Sequence, residues 1–174
     1  LLDEEDNLLG VVFAGLEMFE GLNFAIPYNW VNRVFPDLFK GGEIIHPWFG
    51  LALDENDKGL EVIYTVPGEP AWRAGIKKGD IIGELNGKQY FSIRDFQEAL
   101  LHYEEESLVK LSWTRDSEPM QGIICLGKRP YSPLEVALKK DSRDNIILPL
   151  FGMEIDAVTN FLWETEYVVT RIIQ

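Results

Sequence analysis

One seven-residue phrase occurs twice in this chain, and it limits the possible folds more than any other feature. "PWFGLAL" stands at residues 47–53 and the looser "PLFGMEI" at 149–155; both read Pro, any residue, Phe, Gly, apolar, any residue, apolar. Seven loose positions prove little, so the residues after each copy have to decide. The first copy leads into a polar turn, "DENDKG", and the apolar stretch "LEVIYTV" at 60–66; the second leads, over a longer connection, into "EYVVTRII" at 166–173. A glycine corner followed by β-type segments therefore recurs, and a second domain of the same kind is expected to start at the second copy. The glycine-rich turn, short strand and capped helix that complete the first copy have no counterpart after the second.

Composition excludes several classes. With 46% hydrophobic and 26% charged residues, the chain reads as globular, and 174 residues suffice for one or two domains with cores of their own. No run approaches the roughly 18 apolar residues of a membrane span, so no membrane insertion is expected. Leu1 opens onto an acidic turn rather than a basic and then apolar leader, so no signal peptide is expected. A net charge of −13 argues against nucleic acid as a partner, because phosphate rewards a basic surface. Cys125 is the single cysteine; flanked by Ile123, Ile124 and Leu126, it is expected as a small core residue. Two histidines and one cysteine supply no zinc site of ordinary ligand spacing, and neither metal nor cofactor is expected.

The chain divides into three segments. In 1–46, Leu1-Leu2, Leu8 to Phe13 and residues 21–26 read as strands, and "YNWVNRVFPDLFKGG" as a helix capped by Asn29, kinked or restarted at Pro36 and closed by Gly41. In 47–128, Gly75 and Gly79 bracket a lysine-rich turn, "IIGEL" is a short strand and Asn86-Gly87 a hairpin turn. "SIRDFQEALLHY" predicts the clearest helix: Ser92 caps it, and Ile93, Phe96, Gln97 and Leu100 repeat at i, i+3, i+4 and i+7. The strands "SLVKLSWTR" and "MQGIICLG" come next. In 129–174, the loop-like "KRPYSP" and a short helical "LEVALKK" precede the second heptad.

The stretch "PAWRAGIKKGDIIGELNGKQYFSIRDFQEAL" resembles the core of a PDZ domain in the circularly permuted form of bacterial proteases. Ala74-Gly75-Ile76, Lys78-Gly79-Asp80-Ile81-Ile82 and Leu85-Asn86-Gly87 carry the likeness. "LLDEEDNLLGVVFAG", with Phe24-Ala25-Ile26-Pro27, is similar to the last strands of the trypsin-like barrel in HtrA/Deg serine proteases. The resemblance implies a mainly β fold with short helices. Residues 1–46 would be the end of the protease barrel, 47–128 a PDZ domain built as a partly open barrel capped by a helix, and 129–174 a linker and the start of a second, truncated PDZ-like domain. It also implies a serine endopeptidase as parent, the catalytic domain as a partner, a role in protein quality control, and a periplasmic or envelope location.

No triad residue of that family matches a position here. None of the serines at 92, 107, 112, 117, 132 and 142 lies between glycines in a nucleophile turn, and His46 and His102 read as linker or helix-end residues. No catalytic residue is assigned, and this chain alone is expected to be inactive. A non-catalytic PDZ adaptor with merely structural barrel-like strands is the competing reading; residues preceding Leu1 would separate the two.

A PDZ domain binds an extended peptide, usually a C-terminus, by adding it to a sheet edge. Phe49 and Gly50 are expected to form a nest of N–H donors for the terminal carboxylate, with Leu51, Ala52 and Leu53 as the edge. By the family pattern, Ile93, Gln97 and Leu100 face the groove and Phe96 lies deeper; Trp48 is core, rim or domain contact. A bulky substitution at Gly50 is expected to block the nest and spare the fold. The implied partners are extended or C-terminal segments of unfolded proteins. Apolar residues after the second heptad would be left partly uncovered unless they pack on the first domain or on another chain, so either poor order at the C-terminus or a self-association surface is expected.

Overall fold

A computed structural model describes residues 1–15, 23–39, 41, 45–159 and 165–173. The chain forms two compact units, Leu1–Ile44 and Ile45–Gln174.

In the first unit, Leu2 and Leu8 form a single antiparallel bridge in place of the expected opening strand. Between them the Asp3 carboxylate accepts the N–H groups of Glu5 and Asn7 at 2.9 and 2.8 Å, a local alternative to a strand ladder. Strand β1 (Gly10–Gly15) pairs antiparallel with β2 (Asn23–Pro27), with a register shift between Val12 and Ala14. Residues 21–22 of the expected strand lie outside the described residues. Helix α1 (Tyr28–Phe39) contains both Asn29 and Pro36, so Asn29 is not its cap and Pro36 does not end it. The missing N–H of Pro36 strands the carbonyl of Asn32, and Asn32 is exposed, where water can take that bond. Gly41, at φ +73, donates to the Leu38 carbonyl at 3.0 Å beyond the helix end, as expected of a closing glycine.

The second unit agrees closely with the β-type reading. Strands β3 (Pro47–Trp48), β4 (Leu51–Asn56) and β5 (Gly59–Thr65) precede the one-turn helix α2 (Pro70–Arg73). Next come β6 (Ile81–Leu85), β7 (Lys88–Gln89), helix α3 (Ile93–Leu100), β8 (Leu108–Arg115), β9 (Glu118–Cys125) and β10 (Gly127–Lys128). The main sheet runs β4-β5-β6-β8-β9 with antiparallel pairs, β7 pairs with β6, and β3 pairs with β10. Asn86 (φ 50) and Gly87 (φ +82) turn β6 into β7 with the two positive φ angles that a tight hairpin turn requires. Ser92 caps α3 by accepting the Asp95 N–H at 3.4 Å.

Alternation decides what is inside. Leu60, Val62, Ile82, Leu85, Val109, Leu111 and Trp113 converge with Phe49, Ile76, Phe96, Ile124 and Leu126 on one core. The same alternation corrects the reading of Cys125: Ile124 and Leu126 point inward, so Cys125 is exposed. Asp80, 1% exposed, is held by two 2.7 Å bonds from the Arg115 guanidinium and accepts the Lys77 N–H at 2.8 Å.

The third segment belongs to this same unit. Helices α4 (Pro133–Lys140) and α5 (Arg143–Phe151) lead to the antiparallel hairpin β11 (Met153–Thr159) and β12 (Thr165–Ile172). Ala137 and Ile146 pack with Tyr64 and Val66 on the face of β5 opposite the core. The two heptads share one geometry after their glycine and differ before it. Gly50 (φ +74) and Gly152 (φ +67) each enter a strand, and each carbonyl accepts from the far end of the partner strand, Val66 N–H at 2.8 Å and Ile173 N–H at 2.7 Å. The bulge falls at the same offset, between Ala52 and Leu53 in one and between Glu154 and Ile155 in the other. Before the glycine, however, Pro47 and Trp48 are strand, whereas Pro149 to Phe151 are the last turn of α5.

The architecture is mainly β with short helices, and its sheets are open. Among the described residues, no helix is long and apolar enough to cross a membrane.

Candidate functional site

The site is built from main chain first. Because a peptide unit holds its C=O and N–H on opposite sides, a carbonyl's direction also gives the direction of the next N–H. The Phe49 carbonyl accepts the Ala71 N–H and the Gly50 carbonyl the Val66 N–H, both at 2.8 Å. The Gly50 and Leu51 N–H groups are therefore turned away from α2 and β5. The Val66–Gly50 bond also makes Leu51 and Thr65 a non-hydrogen-bonded pair, so both Leu51 polar groups point to the outer side of β4. That side is the sheet's edge: β4 ends the strand order, with β5 its sole partner among the described residues. An αL glycine corner with outward-turned N–H groups thus adjoins an edge of the kind that accepts an added strand.

Helix α3 packs against β4. Phe96 is 1% exposed and stacks on Phe49 at 5.9 Å between ring centroids, with Tyr90 edge-on at 5.9 Å. Leu51, Leu53, Ile93 and Leu100 are partly buried against the same core, and Gln97 is exposed on the helix. Six of the expected residues therefore belong to one apolar cluster: Phe49 and Phe96 are buried within it, and Leu51, Leu53, Ile93 and Leu100 pack partly buried against it. Trp48 and Ala52 do not belong to it as side chains. Both pack on the opposite face, against the cluster of Tyr64, Val66, Ala137 and Ile146, because strand alternation sends them there. Ala52 is an edge residue through its backbone only.

Gly50 is also more confined than its sequence context suggests. A Cβ there would lie 2.4 Å from the Glu69 Cβ, at a φ that side chains rarely adopt. A bulky residue at this position disturbs the fold as well as the nest, which overturns the fold-neutral expectation.

Several residues of the site were not signalled by the heptad. Glu55 on β4 accepts the Ile93 N–H at 3.0 Å and fastens the start of α3 to the strand. Glu69 packs on the glycine corner, and its carboxylate pairs with Lys140 at the end of α4. Only Glu69-Pro70, as a helix-opening pair, was legible locally; 71 residues of sequence separate Glu69 from its cation. Among the described residues no cluster of His, Cys, Asp and Glu could hold a metal ion.

Residues 47–122 match the PDZ domain family. The serine endoprotease DegS of Haemophilus influenzae is 31% identical over 117 residues, covering 66% of this chain and 34% of that protein. A probable periplasmic serine endoprotease, DegP-like, of Chlamydia pneumoniae is 26% identical over 145 residues, covering 75% of this chain and 30% of its own length. The chain thus spans about a third of these relatives. Among solved structures, the HtrA-type protease AlgW with decapeptide superposes with a TM-score of 0.65 at 20% identity, over 73% of this chain and 44% of that one. The second unit carries a PDZ domain, and the chain is similar to a part of HtrA-type serine endoproteases.

Proposed function

We propose that this chain is the substrate-binding, regulatory portion of a serine endopeptidase, and that it captures extended or C-terminal segments of unfolded proteins by strand addition to β4. The observation that carries this reading is the outward-facing main chain at Leu51 beside the Gly50 corner. A visiting carboxylate would take the N–H groups at Gly50 and Leu51, and the peptide would continue antiparallel along β4. Its last side chain would enter the space among Phe49, Leu51, Leu53, Ile93 and Leu100, which favours an apolar residue. A protein of this fold was solved with a decapeptide. The chain's partner within the parent is the catalytic domain, and the location is the periplasm or cell envelope, as a relative's description as periplasmic suggests. The apolar residues exposed on β11 and β12, such as Tyr167 and Ile172, would serve self-association.

Calorimetric titration with a decapeptide ending in a free, apolar residue tests the site. The expected result is saturable binding, amide-proton shifts in NMR confined to residues 49–56 and α3, and at least about tenfold weaker binding when the C-terminus is amidated, since charge-assisted bonds are worth about 1.5–3 kcal/mol. Shifts elsewhere, or equal affinity for acid and amide, would sink the assignment.

A further inference from the structure

We infer that Lys140 is a positioning residue for the bound peptide's carboxylate, acting through Glu69. This rests on the peptide-site reading above and adds to it the α4 segment, which lies outside the PDZ match at 47–122. The Glu69 side chain is packed against the Gly50 corner so closely that a Cβ on Gly50 would collide with its Cβ at 2.4 Å and approach its Cγ at 3.1 Å. Its carboxylate, two bonds past that contact, is a negative charge on the α2 side of the corner whose N–H groups would receive a second one. Charges on the two sides of one glycine corner are not fully screened, since the screening length is about 8 Å at physiological salt, so an uncompensated Glu69 would repel the incoming carboxylate.

Lys140, the last residue of α4, forms an ion pair with Glu69, and its Nζ also lies 3.8 Å from where a Cβ on Gly68 would be. Helix α4 is held there by Ala137 and Val136 in the cluster with Tyr64 and Val66, the cluster that also receives Trp48 and Ala52. The heptad therefore sits between two layers, with its groove residues on the core and its alternate residues on α4 and α5. Lys140 brings a positive charge across this second layer to the acid at the corner. Its function is to make the nest electrically suitable for an anion.

The test is a comparison of matched peptides, one with a free C-terminus and one amidated, on the full chain and its variants. Lys140→Met is expected to weaken the acid peptide by roughly three- to tenfold while changing the amide less than twofold, an effect that shrinks as salt is raised. Adding Glu69→Gln to Lys140→Met is expected to restore the acid peptide's affinity, because the repelling charge is then gone. Equal losses for acid and amide would mean that Lys140 only holds the structure, and no rescue by Glu69→Gln would mean that Glu69 is not what it neutralises; either overturns the inference while leaving the groove standing. If the unaltered chain binds neither peptide, the peptide-site reading falls and this one with it. Urea denaturation of each variant separates lost binding from lost folding.

Discussion

Phe96 joins the two halves of the candidate site in one side chain. It stacks on Phe49 within the glycine corner, and it is the single fully buried residue of α3. Phe96→Ala should cost about 3–5 kcal/mol in urea denaturation, as for other large-to-small core changes; a change below about 1 kcal/mol would contradict its burial. At Gly50 two penalties coincide, a positive φ and the Glu69 stem, so Gly50→Val is expected to lower the melting temperature and the peptide affinity together. A variant that lost affinity at unchanged melting would show that the corner yields more easily than its packing implies. Asp80 provides a third case. It is buried and depends on Arg115 for two of its bonds, so Arg115→Ala leaves a carboxylate largely without compensation. A destabilisation of about 3 kcal/mol is expected by chemical denaturation. None of these three outcomes can be read from residue type alone, since each depends on a neighbour distant in sequence.

Among the elements, α4 and α5 are where local reading and tertiary outcome part. "LEVALKK" was legible as a helix, because straight-chain residues lie behind a Ser-Pro start. The helix α5, in contrast, absorbs Pro149, Leu150 and Phe151, the opening of a phrase that forms strand and corner at its first occurrence. What decides between the two is the residues before the phrase: "RDNII" continues a helical turn whose Ile146 and Leu148 are buried, whereas Ile45-His46 leads into the pair with β10. The tie between this layer and β5 is pH-sensitive. Burial pushes the Tyr64 hydroxyl upward, reinforced by the neighbouring Asp141 charge and the 3.2 Å bond to it. Burial also works against the charged Asp141, but bonds from Asn145, the Ser142 N–H and Tyr64 outweigh it and hold this carboxyl below its ordinary value. A depressed folded pKa means that the stabilisation is present above the unfolded value and lost as pH falls through the folded one. Hydrogen-exchange protection in α5 should therefore hold from neutral pH down to about 4 and decline below it. Asp141→Asn should abolish that decline; its persistence in the variant would assign it to another group.

For the whole molecule, charge is the dominant property. Against 29 acidic residues there are 16 Lys and Arg, and several of these cations hold the third segment in place. Arg171 on β12 reaches Glu61 at 3.2 Å and Asp54 at 3.4 Å, Lys78 pairs with Glu154, and Lys140 with Glu69. Pairs as exposed as Lys78–Glu154 are worth about 0–1 kcal/mol each, so apolar packing carries most of the attachment. The remaining acidic surface should steer cationic peptides. Stopped-flow association of a peptide of net positive charge is expected to slow several-fold between low and physiological salt, while a neutral peptide ending in the same residue changes little. Equal salt sensitivity for both would rule out steering by the net charge of −13. By itself, the amino-acid order determined the β-type elements of the second unit, its capped helix, its tight turns and the glycine corner, since each arises from local periodicity, side-chain shape or a backbone angle available to few residues. Only the tertiary structure decided that Trp48 and Ala52 face away from the main core, that Cys125 is exposed, that Pro149 lies within a helix, and that Glu69 meets Lys140. Those outcomes depend on which sheet face receives a second layer and on charges brought together by folding, and a one-dimensional pattern specifies neither.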